Sequence, residues 1–331
     1  MSVIIFSLEN DYHADVVVNS LTTQNVEVIR IDPTNDKRLP CSVQIRSGSN
    51  NSAALLFNNR KSIDFNNVTG IFCRFALESL VPAQQDDPLK FFSDSESLAA
   101  FLAPFRLIES YKWINDPWLE SRSDCRILQS NIAHSIGLNV PDFIVSNCYQ
   151  DLVDFYNTHN EVIIKSISDA PLAQIDGEFV SPEKIGNRSF KAPYTTPFKP
   201  INGCNDVDDT PTLLQVAVNK KADIRSTVID NQVFSALMPY TDGDPTDFRC
   251  NTNIKVEPHR LPEDIENKLV QLNRMLRVRF SSCDLVLDHH ERYHFLEANL
   301  QGNWLWTEFG ADLQISIAIA KALIGTNILE E

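Results

Sequence analysis

The sequence lacks several features that would point directly to a common class of protein. Its seven cysteines are scattered without a C-x-x-C pair, which argues against a disulfide framework and against a thiolate zinc site. No G-x-G-x-x-G loop is present for a dinucleotide. The most apolar late segment, 311–324, is too short to span a bilayer. We therefore expect a protein of the reducing cytoplasm with no membrane partner.

Basic charge is also scarce. The chain has 29 Lys and Arg against 44 Asp and Glu, which gives a net charge of −15. This surplus repels nucleic-acid phosphates and anionic lipid headgroups, so we expect no nucleic-acid partner. The apolar run at residues 3–8 has no basic segment before it, and we interpret it as a first strand rather than a signal peptide.

The chain is long and apolar enough for a large core, with 331 residues of which 43% are hydrophobic. Its first elements alternate as strand Val3–Leu8, helix His13–Thr23 and strand Val26–Ile31, a β-α-β opening that predicts an α/β fold. We predict three parts: an N-terminal α/β domain at 1–117, a central subdomain at 118–212 and a C-terminal subdomain at 213–331.

Five further helices are predicted, at Asp94–Trp113, Ser121–Ile136, Asp151–His159, Leu261–Leu276 and Ala311–Ile324. The second is expected to stop at Gly137, because glycine favours helix ends. Residues 168–212 are rich in Pro, Gly, Asn and Asp, and this composition predicts an irregular segment.

A β-hairpin is predicted near the C-terminus. The segments Cys283–Leu287 and Tyr293–Asn299 are rich in β-forming residues, and the polar segment Asp288–Arg292 between them suits a turn. The expected antiparallel register pairs Asp284 with Glu297, Leu285 with Leu296 and Val286 with Phe295.

This hairpin would gather three oxygen-bearing side chains. Glu297 and Asn299 are two residues apart and so point to one face of a strand, where Asp284 can join them. Carboxylate and amide oxygens suit Mg²⁺, which usually shares its shell with substrate phosphates. The sequence therefore predicts a candidate magnesium site, although polar strand residues beside a turn remain an alternative explanation.

Two apolar strands upstream suggest the rest of a nucleotide site. Lys165 lies in the predicted strand Glu161–Ser166, where its ammonium could contact phosphates. The backbone of Gln215–Val218 could offer a donor and an acceptor to an adenine edge, and Arg225 begins the next strand. Taken singly, an edge lysine, a solvated glutamine and a surface ion pair explain these residues as well.

Several blocks of sequence, in order along most of the chain, resemble the signatures of the ATP-grasp superfamily. The nearest resemblance within it is to the graspetide, or microviridin-type, peptide maturases, with ribosomal-protein glutamate ligases more distant. The blocks are Trp113–Pro117, Arg126–Gln129, Gly137–Pro141, Ile163–Lys165, Pro211–Gln215, Lys220–Arg225, Asp247–Arg249, Asp284 and Phe295–Glu308. The block Phe72–Phe75 matches a motif of the N-terminal domain only in part.

The resemblance implies an ATP-grasp fold with an N-terminal pre-ATP-grasp domain, and ATP and Mg²⁺ as cofactors. It assigns Arg225 and Arg249 to the phosphate and acyl-phosphate region, and Asp284, Glu297 and Asn299 to Mg²⁺. The residues that it assigns to the nucleotide are Arg126, Lys165, Gln215, Val216, Val218, Lys220 and Asp223. The sequence departs from the family pattern at Arg126, where a Lys is usual, at Val216, where a Glu is usual, and at Leu300, where a Pro is usual.

The resemblance also implies a function. The enzyme would phosphorylate a side-chain carboxylate of a precursor peptide with a leader segment, and a hydroxyl or amine of that peptide would then form an ester or amide. Trp304 and Trp306 either line the acceptor pocket or pack in the core. A ligase adding a free amino acid or amine, and a nucleotide-binding pseudoenzyme, remain alternatives, and a homodimer is left open.

Overall fold

Strands and helices alternate through most of the chain. The structure is a computed structural model and describes residues 1–34, 42–46, 52–56, 62–77, 80–81, 86–167, 174–175, 178–179, 195–200, 211–240 and 255–325. The helices are α1 Tyr12–Thr23, α2 Pro88–Leu102, α3 Pro117–Ser123, α4 Arg126–Ser135, α5 Tyr149–His159, α6 Glu263–Leu276, α7 Leu305–Ala311 and α8 Ile315–Ile324.

The strands within this part of the chain form five sheets. They are β1 Ser2–Phe6, β2 Glu27–Ile31, β3 Ser42–Arg46, β4 Ser52–Leu56, β5 Ser62–Asp64, β6 Val68–Cys73, β7 Trp113–Ile114, β8 Phe143–Ser146, β9 Val162–Lys165, β10 Gln174–Ile175, β11 Glu178–Phe179, β12 Thr195–Pro197, β13 Thr212–Val216, β14 Lys220–Ile229, β15 Gln232–Pro239, β16 Glu257–His259, β17 Phe280–Asp288 and β18 Tyr293–Asn299.

The N-terminal sheet is parallel, with strand order β2-β1-β6-β7. Strand β1 is buried along its whole length, as expected for the inner strand of a sheet covered on both faces. Helix α1 begins where the Asp11 side chain accepts a hydrogen bond from the His13 amide at 2.9 Å, a standard N-cap. The predicted β-α-β opening is confirmed.

Two of the four antiparallel sheets of the described chain are the larger ones and border the site. One has the order β12-β9-β13-β8 and the other the order β16-β15-β14-β17-β18. Side chains alternate along these strands, so one face of the five-stranded sheet packs on a core with α4 and α6. Its other face carries polar residues and is left for a site.

The beginning and the end of the described chain share one core. Val3 and Phe72 of the N-terminal sheet belong to the same buried cluster as Phe280 of β17 and Ile319 of α8. A buried side-chain amide also links the two regions. Asn115 Nδ2 donates to the carbonyls of Phe280 at 2.9 Å and Leu300 at 3.0 Å. The proposed boundaries at 117 and 212 remain predictions.

Three predicted helices were wrong in extent. The helix expected at Asp94–Trp113 is α2, which begins six residues earlier because Asp87 caps it and Pro88 fits the first turn. The helix expected at Ser121–Ile136 is divided into α3 and α4. The helix expected at Ala311–Ile324 is interrupted after Ala311, where Asp312 takes a left-handed conformation with φ of 51°.

Most of the segment predicted to be irregular, 168–212, lies outside the described residues, although β10, β11 and β12 fall within it. Across the described ranges, none of the helices has the length and apolar character needed to cross a membrane.

A close contact between α8 and β6 gives a test of the shared core. A Cβ added at Gly70 would lie 2.4 Å from the carbonyl oxygen of Leu323, so Gly70→Ala must push the helix away. We expect this overpacking to lower the free energy of unfolding by about 1–3 kcal/mol, measured by urea denaturation.

The control for this variant is Ser97→Ala on the exposed side of α2. It should change the free energy of unfolding by no more than about 0.5 kcal/mol. Equal unfolding midpoints for Gly70→Ala and the wild type would contradict the close packing of α8 on β6.

Candidate active site

Three charged residues form a row across the polar face of the five-stranded sheet. Arg225 of β14 lies opposite Asp284 of β17, and Asp284 lies opposite Glu297 of β18. Asn299 lies two residues beyond Glu297, opposite Ser282. The central pair of the predicted hairpin, Asp284 with Glu297, is confirmed, and the predicted strand Tyr293–Asn299 has the observed bounds.

The rest of the predicted register was wrong. Leu285 pairs with Phe295, and Val286 pairs with His294, so Leu296 is an extra residue in a β-bulge. The bulge changes which side chains of β18 point to each face of the sheet. Phe295 is fully buried in the core, whereas Glu297 lines the cavity on the other face. A regular strand would have put both on one side.

Each carboxylate of the row has an arginine partner. Arg225 Nη1 lies 2.5 Å from Asp284 Oδ1, and Arg126 Nε donates to Glu297 Oε2 at 2.9 Å. Burial acts to raise the pKa of Glu297, but the charges of Arg126 and Lys165 outweigh it and hold that pKa below its ordinary value. Glu297 is therefore ionised at neutral pH.

Asn299 completes the group on this wall. Its Nδ2 donates to Asp284 Oδ2 at 3.1 Å and to the Ser282 carbonyl at 3.4 Å. Asn299 lines the cavity, and its side-chain oxygen accepts no hydrogen bond from the described residues, so it remains available as an acceptor.

The opposite wall comes from β9 and β13. Lys165 ends β9, and burial lowers its pKa to about 8, with the negative charges of Glu297 and Asp284 restoring only part of the loss. On β13, the side-chain oxygen of Gln215 is buried and has no hydrogen-bond partner among the described residues. A buried acceptor without a partner is costly, so a donor supplied by a ligand would stabilise this position.

The chain between β13 and β14 offers backbone groups to the same cavity. The amides of Val216 and Ala217 already donate to the carbonyls of Asp142 at 2.8 Å and Glu161 at 2.9 Å. Within the described chain, the Val218 amide makes no such backbone bond. The donor expected from Gln215–Val218 is therefore the Val218 amide.

A lysine and an aspartate close this side of the cavity. Lys220 Nζ lies 2.8 Å from both carboxylate oxygens of Asp223, and both side chains are largely buried. The two charges neutralise each other, and the two short contacts hold the Lys220 ammonium near the start of β14, the strand that also carries Arg225.

The two walls enclose a cavity of about 1090 Å³. It brings together every predicted site residue that the structure describes, while Arg249, with the block Asp247–Arg249, lies outside the described residues. The predicted residues that line it are Arg126, Lys165, Gln215, Val216, Val218, Lys220, Asp223, Arg225, Asp284, Glu297 and Asn299.

The tryptophans after β18 have different positions. Trp304 is fully buried and meets the His13 ring edge-on at 5.0 Å, so it is a core residue. Trp306 lines the cavity, and its Nε1 donates to the Asn303 carbonyl at 3.1 Å. The unusual Leu300 is also buried in the core, which accounts for an apolar residue at that position.

The sequence did not reveal how the loop after Asn299 is held. Arg74 Nη1 donates to the Gln301 carbonyl at 3.0 Å, and its Nε donates to Asp11 at 3.0 Å. On the other side, Arg225 Nη2 donates to the Asn303 carbonyl at 3.3 Å. The only signal was the partial match of Phe72–Phe75, which includes Arg74.

No protein-family model and no curated protein sequence matches the chain, but solved structures match it over nearly its whole length. The macrocyclase MdnC of Microcystis aeruginosa MRC, bound with precursor peptide MdnA, is 19% identical with a TM-score of 0.74, over 98% of this chain and 99% of that one. A Chryseobacterium gregarium RiPP-associated ATP-grasp ligase, in complex with ADP and a leader and core peptide, is 20% identical with a TM-score of 0.76, over 98% and 96%. The chain has the ATP-grasp fold.

A third ATP-grasp structure is similar over the same extent. The ligase PsnB, complexed with a phosphomimetic variant of a minimal precursor, Mg and ADP, is 18% identical with a TM-score of 0.71, over 98% of each chain. The predicted fold class is confirmed by these likenesses and by the mixed sheets.

The donor set of this ATP-grasp cavity fits Mg²⁺. Asp284, Glu297 and Asn299 offer two carboxylates and an amide oxygen, the hard ligands that Mg²⁺ prefers. Among the described residues, no three or more His, Cys, Asp and Glu side chains are grouped to hold a metal by themselves. Mg²⁺ typically takes the rest of its shell from water and phosphate oxygens, so this small protein set is consistent with a nucleotide-bound ion.

Removing the carboxylates tests this fit. We expect Mg²⁺ to strengthen ADP binding to the wild type at least tenfold, which adds about 1.4 kcal/mol to its stability at saturating ligand. Asp284→Asn combined with Glu297→Gln should lose that addition, because amides bind Mg²⁺ more weakly than carboxylates. Thermal unfolding with ADP, with and without Mg²⁺, measures the difference.

The matched control makes the same chemical changes on the surface. Glu263→Gln combined with Asp264→Asn lies on the exposed start of α6 and should keep the full Mg²⁺ effect. An undiminished Mg²⁺ effect in the double variant at 284 and 297 would show that the metal binds elsewhere.

Proposed function

We propose that this protein is an ATP-dependent ligase that crosslinks side chains of a ribosomally made precursor peptide. The observation that carries the proposal is the row of Arg225, Asp284 and Glu297, with Asn299, facing Lys165 and Gln215 across one cavity. The full-length likeness to ligases solved with precursor peptides supports a peptide as the substrate.

The adenine end of the nucleotide lies at β13. The Val218 amide and the Gln215 side-chain oxygen have no hydrogen-bond partner in the described part of the chain. The amide donates to the adenine edge, and the Gln215 oxygen accepts from an amino group of the ligand. The aliphatic side chains of Val216 and Val218 line the cavity there and suit the apolar faces of a base. The usual Glu is replaced by Val216, so recognition depends on backbone groups and Gln215.

The phosphates lie between Lys165 and the row of charges. Phosphate oxygens favour the charged form of the Lys165 ammonium, which burial alone disfavours. Asp284, Glu297 and Asn299 would hold Mg²⁺, and the bound ion would neutralise part of the negative charge on the phosphates. Arg126 reaches the same region from α4.

The reaction has two steps on the peptide. A carboxylate oxygen of Asp or Glu attacks the γ-phosphorus of ATP, forming an acyl phosphate and releasing ADP. A hydroxyl or amine of the same peptide then attacks the acyl carbon, the C–O bond to phosphate breaks, and the nucleophile's proton is lost. Arg225 stabilises the negative oxygens of the acyl phosphate, and Arg249 is proposed to share this role.

The product mass tests the proposal. The probe is a short peptide encoded beside this gene, with repeated Thr, Ser or Lys and repeated Asp or Glu in its C-terminal part. We expect each bond formed with ATP and Mg²⁺ to lower the peptide mass by one water and to release one ADP and one phosphate. Mass spectrometry and phosphate release measure both.

Other outcomes separate the alternatives. The control peptide carries Asn and Gln in place of the acidic residues and should keep its mass. A mass gain equal to an added amino acid or amine would replace the proposal with an intermolecular ligase. Nucleotide binding without any product from such peptides would identify a pseudoenzyme. Mild base opens esters and leaves amides intact, which distinguishes the two linkages.

A further inference from the structure

Strand β18 is an edge strand, because it ends the order of the five-stranded sheet. The outward backbone groups of an edge strand need partners from outside the sheet. At one end, Asn139 supplies them, since its Nδ2 donates to the Tyr293 carbonyl at 3.2 Å and its carbonyl accepts from the Phe295 amide at 2.8 Å. At the other end, Asn115 donates to the Leu300 carbonyl.

The middle of this edge is held by one side chain of helix α4. Gln129 Nε2 donates to the Ala298 carbonyl at 2.9 Å, and Gln129 Oε1 accepts from the Ala298 amide at 2.9 Å. The carboxamide of a glutamine carries the same donor and acceptor as a peptide group. Gln129 therefore replaces the peptide that a neighbouring strand would provide.

Gln129 holds the backbone between two of the predicted Mg²⁺ ligands. Ala298 lies between Glu297 and Asn299, so fixing both of its backbone groups fixes the direction in which the flanking side chains point. Arg126, three residues before Gln129 and on the same side of α4, holds the Glu297 carboxylate itself. One helix thus binds the backbone and a side chain of the same short segment.

We propose that Gln129 is a positioning residue for the Mg²⁺ ligands Glu297 and Asn299. This inference rests on the proposed function. Gln129 is buried and is not among the side chains that line the cavity, so it acts through β18 rather than by touching the ligand. The Gln129 contact lies next to the bulge at Leu296, which interrupts regular pairing just before Glu297.

Two substitutions of Gln129 remove its hydrogen bonds to Ala298 in different ways. Gln129→Glu keeps the shape and one acceptor, but it loses the Nε2 donor and leaves the Ala298 carbonyl without its partner. It also adds a negative charge near Glu297. Gln129→Met keeps the length without charge and removes both hydrogen bonds to Ala298, together with the bond from Nε2 to the Ser123 carbonyl.

The test measures metal binding directly. Mn²⁺ is titrated into ADP-loaded protein and free Mn²⁺ is followed by electron paramagnetic resonance. We expect both variants to bind Mn²⁺ about 10–100-fold more weakly than the wild type, the range seen when a partner that orients a metal ligand is removed. ADP affinity measured in EDTA should change by less than about twofold, because β13 is untouched.

The matched control is Gln150→Glu, which makes the same change on the exposed side of α5 and should bind Mn²⁺ like the wild type. Wild-type Mn²⁺ affinity in both Gln129 variants would overturn the positioning role alone. Loss of the folded circular dichroism signal in both would also overturn it, because a positioning residue is not required for folding. A wild type that binds no Mn²⁺ with ADP would overturn the proposed function as well.

Discussion

The ion pairs of Asp284 with Arg225 and of Glu297 with Arg126 govern how this cavity is built. Carboxylates that are largely removed from water need a compensating charge, and an unpaired one would destabilise the fold. Here the compensation comes from two different elements, β14 and α4. Register across the sheet, the bulge in β18 and the placement of α4 all serve to bring these four side chains to one face.

The same pairs explain how a charged wall can exist before a ligand arrives. In the free protein each carboxylate is neutralised by a guanidinium, whereas a bound divalent cation could take over that neutralisation. Arg126 and Arg225 would then be available to phosphate oxygens, which they match as planar, bidentate donors. Lys165, with its lowered pKa, would likewise be stabilised by the arrival of phosphate. On the proposed function, the empty and loaded states would therefore exchange partners among the same few residues.

Local sequence patterns were sufficient for some of this arrangement and not for the rest. Alternation and turn polarity predicted the pairing of Asp284 with Glu297, because both depend on neighbouring residues in one hairpin. The bulge at Leu296 was missed because it depends on Phe295 entering a core built by α4 and α6. Gln129 and Ala298 are 169 positions apart in the sequence, and Arg74 and Gln301 are 227 positions apart. A local sequence pattern does not predict contacts between residues so far apart in the chain.

On the proposed function, Asp284, Glu297 and Asn299 exchange their present partners for a nucleotide-bound cation. A crystal structure with ADP and Mn²⁺, with the cation located by anomalous scattering, tests it most directly. We expect one cation in contact with the carboxylates of Asp284 and Glu297 and the side-chain oxygen of Asn299, with Glu297 released from Arg126. A cation bound elsewhere, with both arginine–carboxylate pairs intact beside ordered ADP, would contradict it.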